Sequence, residues 1–303
     1  MFIVSILRKA VSAVLSFIIL LWTGIFFGTS EPEVQNIENY NLNFTVLSDV
    51  HMEGNNGNTF KVFSKILTDI KNNVKSDAIV FLGDDTMNGQ IIENLLFHGF
   101  INQIKPAEKI YTVMGNHDTG NGINEYDKLS ERFWSYYNDF TGENVTDNPY
   151  YYREVNGYYF VFLGSEEDNV NTSFVSQEQL DWLNGILDLN EGTGRPVFVF
   201  NHHPYNYLDS RENAVELQKI LTEHSNVFYL SGHTHTTKMN FENLDEDSYS
   251  INLPRCTDES DNFETNDSGL GVQIYVSDDK VQIKARRYYA SQWGNYDFTY
   301  DIK

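Results

Sequence analysis

The sequence predicts an α/β fold with a largely parallel β-sheet, and three observations support this prediction. Apolar stretches of strand length alternate with stretches whose apolar residues recur every three or four positions, as in amphipathic helices. Most of the predicted strands are followed directly by a short cluster of Asp, Asn and His residues. An aromatic content of 15% is compatible with a β-rich core. Since such sheets gather their sites at the carboxyl ends of their strands, we expect these clusters to meet in space.

The individual elements follow from these patterns. Strands are predicted at residues 44–47, 78–82, 110–114, 158–163, 197–200 and 227–230. Helices are predicted from Phe60 to Val74, from the capping box that opens at Ser176, and over residues 211–221. After Met239 the chain becomes β-rich, with predicted strands at residues 248–253, 272–276 and 281–285. We expect this tail to complete a second sheet that packs on the first.

Three regions are predicted along the chain: a signal or anchor segment at residues 1–30, a polar linker at 31–42, and one domain at 43–303 whose C-terminal part is β-rich from about residue 240. Arg8 and Lys9 precede an uncharged apolar run, residues 10–28. As a helix this run spans about 28 Å, close to the thickness of a bilayer core. Basic residues stay on the cytoplasmic side, so the domain is expected outside the cell.

Two interpretations of the first segment stay open. An uncleaved anchor through residues 10–28 would hold the domain at the extracellular face of the cell membrane. A signal peptide cleaved near Gly28 and Ser30 would instead release a secreted protein.

Composition excludes several classes of protein. The formal net charge of −22 repels phosphate backbones, which argues against general nucleic-acid binding. Cys256 is the only cysteine in the sequence, so an intrachain disulfide, a redox dithiol and a multi-thiolate metal site are all excluded.

The most informative feature is a set of five short blocks that contain six of the eight histidines. The blocks are Asp49-Val-His51, Gly83-Asp84, Gly115-Asn116-His117-Asp118, His202-His203-Pro204 and Gly232-His233-Thr234-His235. Carboxylate, amide and imidazole groups are the donors that hard-to-borderline divalent ions prefer. The blocks therefore predict a metal-dependent hydrolase with two ions.

The chemistry of phosphate-ester hydrolysis suggests a role for each residue. Two ions about 3.5–4 Å apart activate a bridging water and neutralise the phosphoryl oxygens. Asp84 is the natural bridge between them. The remaining ligands divide into one set for each ion, namely Asp49, His51 and His235 for the first and Asn116, His202 and His233 for the second.

In this mechanism a hydroxide that bridges the ions attacks phosphorus. His117 is adjacent to a ligand but is not needed as one, so we predict that it protonates the leaving oxygen. Asp118 is predicted to accept the other N–H of His117 and to fix its tautomer.

In order and in residue type, the five blocks resemble those of the calcineurin-like metallophosphoesterase superfamily, over about residues 43–240. The resemblance implies two mixed β-sheets packed as a sandwich and flanked by helices, with a dinuclear site at the strand ends. The helix opening at Ser176 and the run from His202 to Tyr205 are similar to branches that hold class III cyclic nucleotide phosphodiesterases and purple acid phosphatases. Purple acid phosphatases carry a tyrosine three residues after the bridging aspartate, where this chain has Met87. We therefore expect a pair of Mn, Fe(II), Zn or Co ions, with identity undetermined, rather than a purple ferric site.

The predicted function is an exported phosphoesterase that hydrolyses phosphate mono- or diesters of a small molecule or lipid. One alternative is a phosphodiesterase specific for cyclic or linear nucleotides or phospholipid head groups. A second is a non-catalytic metal-binding module, although such a relic usually lacks a ligand and none is missing here.

Three side chains near the blocks stay ambiguous: His203, Tyr205 and Tyr207 could each contact substrate or only pack. His98 lies in an apolar stretch and is predicted to be structural.

Overall fold

The computed structural model describes residues 2–22, 39–145, 148–236, 238–257 and 269–303. The strands within these ranges are β1 (Leu42–Leu47), β2 (Ala78–Phe81), β3 (Lys109–Thr112), β4 (Tyr151–Val155), β5 (Tyr158–Phe162), β6 (Val197–Phe200), β7 (Val227–Ser231), β8 (Asn240–Asn243), β9 (Ser248–Asn252), β10 (Leu270–Val276), β11 (Lys280–Arg287) and β12 (Gln292–Asp301). The α-helices are α1 (Phe2–Trp22), α2 (Gly57–Asp69), α3 (Ile91–Ile104), α4 (Tyr126–Thr141), α5 (Gln177–Glu191) and α6 (Arg211–Glu223). A π-helical turn, Ile70–Val74, continues α2, and a 3₁₀ turn, Tyr288–Ala290, precedes β12.

The strands form two six-stranded sheets, each with both parallel and antiparallel pairs. The first sheet has the order β12-β11-β10-β1-β2-β3, with β1, β2 and β3 parallel. The second has the order β4-β5-β6-β7-β9-β8, with β5, β6, β7 and β9 parallel. Both sheets are therefore mixed, which confirms the predicted sandwich of two mixed sheets.

An aromatic core joins the two sheets. Phe44 on β1 is fully buried, and its ring centroid lies 4.7 Å from that of Phe160 and 4.8 Å from that of Phe198 in the opposite sheet. Such tilted and edge-on contacts are the preferred geometries of aromatic pairs. Phe44 and its neighbours thereby fix the distance between the layers and the position of the strand that leads into the first polar block.

Helices cover the outer faces of both sheets. The apolar face of α2 and α3 packs on the side chains of β1 and β2 that point away from the sandwich, including Leu47, Ile79 and Phe81. On the opposite side, α5 and α6 pack on Val161 and Val199. Helices cover one face of each sheet and the partner sheet covers the other. The central strands therefore carry largely apolar residues on both faces.

Local signals set where these helices begin. The Asn56 side chain accepts hydrogen bonds from the first backbone N–H groups of α2, and Ser210 does the same for α6. Ser176 caps α5 as predicted, with its Oγ 3.2 Å from the Gln179 nitrogen. The Gln179 side chain does not complete the capping box, because its amide bonds the backbone of Gly164 at the end of β5 instead.

The β-rich tail differs from the prediction. We expected it to complete one second sheet, but β8 and β9 extend the second sheet whereas β10, β11 and β12 extend the first. The central position of β1 explains this division, since it pairs in parallel with β2 and leaves its other edge free for the antiparallel β10. The predicted linker at 31–42 lies largely outside the described residues.

The N-terminal helix α1 lies against α3. The Ser12 hydroxyl donates to the Leu95 carbonyl at 2.6 Å, and Gly99 provides the space for this contact. Arg8 donates to Asp139 on α4 at 2.8 Å. The opposite face of α1 is apolar and exposed, with Leu7 at 63% and Phe17 at 52%. Residues 3–21 are long and apolar enough to cross a membrane.

His98 generates a prediction about acid stability. It is 4% exposed on α3 and stacks on Phe140 with ring centroids 5.2 Å apart. Burial lowers the pKa of His98 to about 3, whereas the unfolded chain binds this proton near pH 6.5. The unfolded state therefore binds more protons between these values, and the histidine makes stability fall as pH falls below about 6.5.

We expect His98→Gln to remove this contribution. Compared with the variant, the wild-type free energy of unfolding should fall faster on acidification, by up to about 1.4 kcal/mol per pH unit. Urea unfolding of both proteins at pH 7, 6 and 5 measures the difference. Parallel pH dependences would contradict this expectation, because they would show that His98 binds its proton as readily in the folded chain as in the unfolded one.

Candidate metal centre

All seven predicted metal ligands meet at the carboxyl ends of the strands. Asp49 and His51 follow β1, Asp84 follows β2, and Asn116 follows β3. His202 follows β6, and His233 and His235 follow β7. Donor atoms of Asp49, His51, Asp84 and His235 lie within 4.8 Å of one another, as do those of His202, His203 and His233. The site thus joins the edges of both sheets.

One half of the site contains a carboxylate and two imidazoles. His235 Nε2 lies 3.0 Å from Asp49 Oδ1 and also 3.0 Å from His51 Nε2. Asp49 Oδ2 accepts hydrogen bonds from the Ser48 hydroxyl and from the His233 backbone N–H, the latter at 3.1 Å. Since these two hydrogen bonds hold Oδ2, the Oδ1 atom of Asp49 faces the imidazoles of His51 and His235.

The other half is built around the Asn116 amide. Its Nδ2 donates to Asn121 Oδ1 at 3.0 Å, which assigns Oδ1 to the site. That oxygen lies 3.0 Å from His202 Nε2 and 3.1 Å from His233 Nδ1. His202 Nδ1 lies 2.7 Å from the Leu82 carbonyl, a contact that requires Nδ1 to carry a hydrogen. In neutral His202, therefore, Nε2 and Asn116 Oδ1 present lone pairs to each other.

Asp84 lies between the halves. Its Oδ2 is 3.5 Å from His51 Nε2 and 3.4 Å from His202 Nε2. Its Oδ1 accepts a hydrogen bond of 2.9 Å from the backbone N–H of His117. This is the position that a bridging ligand requires.

The buried carboxylates and imidazoles of the site shift one another's pKa values. Burial alone would raise the pKa of Asp49, but hydrogen bonds from His235 and His51 hold it well below its ordinary value. The pKa of Asp84 is likewise lowered against the effect of burial, chiefly by the charge of His202. Burial opposes protonation of His202, yet the charge of Asp84 raises its pKa to about 9. Without a metal, one imidazolium thus compensates two buried carboxylates.

The donor set fits divalent cations. Carboxylate, amide and imidazole donor atoms from several strand ends lie at about hydrogen-bond distance from one another. A cation removes the repulsion between such donors, and imidazole with carboxylate suits Zn, Fe, Co or Mn.

The backbone of the ligand loops is unusual. Five of the predicted ligands have positive φ angles: Asp49 at 56°, His51 at 47°, Asp84 at 51°, His233 at 69° and His235 at 46°. Residues other than glycine adopt this left-handed region at a cost of about 1–2 kcal/mol each. Strain of this kind concentrates at functional sites, where the surrounding structure enforces it.

Glycines give the carboxylates room. A Cβ on Gly115 would lie 2.1 Å from Asp84 Oδ1, and one on Gly232 would lie 2.6 Å from Asp49 Oδ2. The glycines that precede ligands in the sequence motifs therefore allow the close approach of two loops.

His117 is held at the edge of the site. Its Nδ1 lies 2.8 Å from the Met87 carbonyl, so Nδ1 carries a hydrogen and Nε2 is the nitrogen that can exchange a proton. Its ring centroid lies 4.6 Å from that of His51.

The predicted pairing of Asp118 with His117 was wrong. The Met87 carbonyl occupies the position that we assigned to Asp118. Asp118 instead accepts hydrogen bonds from the backbone and hydroxyl of Thr86, at 2.8 and 2.7 Å, and from the Gly115 N–H at 3.0 Å. It is fully buried and joins the loop after β2 to the loop after β3, so it positions the ligands on both loops.

Several contributors were not identified from the sequence. Asp85 is buried behind Asp84 and accepts a hydrogen bond of 2.7 Å from Thr112 Oγ1. Burial and the charge of Asp118 raise the pKa of Asp85 well above its ordinary value. The Asn121 side chain orients Asn116. The Leu82 carbonyl orients His202, and the Met87 carbonyl orients His117. No sequence pattern marks a backbone carbonyl for such a role.

The two tyrosines differ in their environment. Tyr205 is buried, and its hydroxyl donates to Glu242 at 3.0 Å, so it packs within the fold. Tyr207 is 42% exposed, and its ring centroid lies 6.0 Å from that of His233.

Comparison with known proteins agrees with this geometry. A family model described as calcineurin-like phosphoesterase matches residues 42–237. No curated protein sequence matches the chain.

Among solved structures, a dimetal phosphatase from Danio rerio is 16% identical, with a TM-score of 0.62 over 88% of this chain and 100% of that one. A 5'-nucleotidase from Candida albicans is 14% identical, with a TM-score of 0.48 over 82% of this chain and 49% of that one. At 16% identity the first likeness establishes the fold alone.

Gly115→Ala tests the role of the close loop approach without changing a ligand. The added methyl group would displace Asp84, so we expect the variant to lose bound metal while retaining its secondary structure. Metal analysis after reconstitution with Mn²⁺ and dialysis measures the loss.

Gly185→Ala is the matched control, because nothing lies within 4 Å of the added Cβ on α5. It should retain metal and gain up to about 1 kcal/mol of stability, as alanine is the better helix former. Full metal occupancy in Gly115→Ala would show that Asp84 can move without loss of the site.

Proposed function

The chain belongs to the calcineurin-like phosphoesterase family and is a metallophosphoesterase, and from its site we propose that it hydrolyses phosphate mono- or diesters with two divalent ions. The observation that carries this proposal is the position of Asp84, within 3.5 Å of an imidazole from each half of the site. A carboxylate between two sets of ligand donors is the arrangement that suits a bridged pair of ions.

Each half supplies ligands to one ion. Asp49, His51 and His235 would hold the first, and Asn116, His202 and His233 the second, with Asp84 shared. When bound, the ions supply Lewis acidity toward the phosphoryl oxygens and lower the pKa of the attacking water. Two carboxylates and four imidazoles leave the pair of ions with net positive charge, which favours binding of an anionic phosphate.

The role we propose for His117 is that of general acid. Its Nδ1 is bound to the Met87 carbonyl at 2.8 Å, so the ring orientation is fixed and Nε2 remains for proton transfer. Its backbone N–H donates to the proposed bridge Asp84, and its ring lies 4.6 Å from that of His51. Protonation of the leaving oxygen by a positioned imidazole accelerates such reactions about 10²–10⁴-fold.

The substrate class is part of the proposal. Enzymes of this family act on phosphorylated compounds, and a net charge of −22 disfavours long nucleic acids over small molecules or lipid head groups. A phosphodiesterase for nucleotides or phospholipid head groups is the first alternative, and the ratio of aryl diester to aryl monoester turnover separates it from a general phosphatase. A non-catalytic metal-binding module is disfavoured because all seven ligands are present and converge.

We also propose that α1 attaches the domain to a membrane. Its exposed face is apolar along its length, from Ile3 at 80% to Leu21 at 49%. Arg8 and Lys9 near its start favour a cytoplasmic N-terminus and an external domain. A helix cannot cross a bilayer and lie along α3 at the same time, so insertion requires the Ser12 and Arg8 contacts to be replaced. The cleavage positions considered for a secreted form, Gly28 and Ser30, lie outside the described residues.

Asp84→Asn and His117→Asn test the proposed chemistry. Asp84→Asn should abolish turnover of all phosphate esters, as should prior treatment with a chelator, because both remove the ion pair. His117→Asn should keep its metal but lose about 10²–10⁴-fold in kcat with alkyl leaving groups. With nitrophenyl leaving groups the loss should be smaller, since these leave without a proton.

Steady-state kinetics on both substrates, with metal content measured in parallel, checks these expectations. If His117→Asn hydrolyses alkyl esters as fast as the wild type, the assignment of the acid is wrong. If fully loaded wild type hydrolyses no ester, the binding-module alternative replaces the enzyme.

Fractionation of cells that express the full chain tests the membrane proposal. We expect the protein in the membrane fraction, resistant to alkaline carbonate, with the apolar segment still present at its N-terminus. A chain that starts at Glu31 with an added signal peptide is the control and should be soluble. If cells that express the full chain instead yield a soluble exported protein that begins after Ser30, the cleaved signal peptide is supported.

A further inference from the structure

His203 is a buried imidazole that the ligand set above does not use. It follows His202 after β6 and is 2% exposed. Its ring centroid lies 4.9 Å from that of His202 and 4.2 Å from that of His233. Three imidazoles from two strand ends are therefore in mutual contact at one side of the site.

His203 has an unpartnered nitrogen and lies close to the nitrogens of both neighbouring histidines. Its Nε2 is buried and has no hydrogen-bond partner among the described residues. One ring nitrogen of His203 lies within 4.8 Å of a ligand nitrogen of both His202 and His233. A buried polar atom without a partner costs about 1–3 kcal/mol, so this position needs an explanation that packing alone does not give.

The rings of His203 and His233 are inclined by 41°, which is neither a parallel stack nor an edge contact. Direct contact with substrate is disfavoured by the 2% exposure.

We propose that His203 is a third imidazole ligand of the second ion, beside Asn116, His202 and His233. This inference rests on the proposed two-ion site and extends it. The second half then offers three nitrogens and one amide oxygen, whereas the first offers the Asp49 carboxylate with two imidazoles, and Asp84 serves both.

The two halves consequently differ in metal preference. Imidazole-rich sites favour Zn²⁺, Co²⁺ or Fe²⁺, while sites with more carboxylate bind Mn²⁺ comparatively well. We expect the second half to retain Zn²⁺ more tightly than the first.

Metal titration of the full chain in mild detergent tests this assignment. Metal-free wild type, His203→Gln and His224→Gln would each be titrated with Zn²⁺ against a chromophoric chelator. His224 is the matched control, because it is a buried histidine whose nitrogens bond Ile220 and Asp188 at the end of α6. Wild type and His224→Gln should bind two ions, and His203→Gln should bind one of them at least about 10-fold more weakly.

A second readout reports coordination directly. Co²⁺-loaded protein should show hyperfine-shifted N–H signals from coordinated imidazoles, and His203→Gln should lose one signal that His224→Gln keeps. His203→Glu, which restores a donor, should regain most of the lost affinity. Circular dichroism and thermal melting confirm that each variant is folded.

The outcomes distinguish the two proposals. If wild type binds two ions and His203→Gln binds both equally well with no signal lost, His203 only packs and the inference is wrong. The inference would also be wrong if His203→Glu bound the second ion no more tightly than His203→Gln does. If wild type itself binds fewer than two ions, the two-ion site fails, whatever the variants do.

Discussion

The structure depends on the burial of two carboxylates, Asp49 and Asp84, at the junction of two apolar sheets. Neither side chain has access to solvent, and an uncompensated buried charge costs several kcal/mol. The surrounding imidazoles and backbone N–H groups offset this cost only in part. The charge of Asp84 raises the pKa of His202 to about 9, which supplies one positive charge against two carboxylates. In the proposed site two divalent ions complete the compensation, and their net positive charge favours binding of an anionic phosphate ester.

The fold meets this demand with its parallel strands. β1 and β2 from one sheet, and β6 and β7 from the other, end at the same edge of the sandwich, and the aromatic core around Phe44 holds the sheets in register. Left-handed residues at the strand ends turn the ligands into the site, and Gly115 lets the loop after β3 approach Asp84. The positions of the ligands are therefore set by the geometry of these loops.

Sequence patterns predicted the central elements and the convergence of the seven proposed ligands, because each is a local signal. Apolar runs mark buried strands, and Asp, Asn and His directly after them have few structural reasons to occur together. The role predicted for Asp118 was wrong and the burial of Asp85 was not predicted, because both depend on contacts between loops about 30 residues apart that no spacing encodes. The same holds for the division of the tail between the sheets, which depends on which edge of β1 is free. His203 stayed ambiguous because its function depends on a distance to His233.

The buried carboxylates of the site have a consequence for the lifetime of the protein. Burial of Asp49 and Asp84 disfavours the folded chain when ions are absent, and bound ions would offset this cost. Ions that bind only the folded state stabilise it by mass action, by about 2.7 kcal/mol for one site at 100 times its Kd. In the proposed two-ion site the ions would therefore support folding as well as catalysis. Under metal starvation this chain would be lost through unfolding and proteolysis, in addition to becoming inactive.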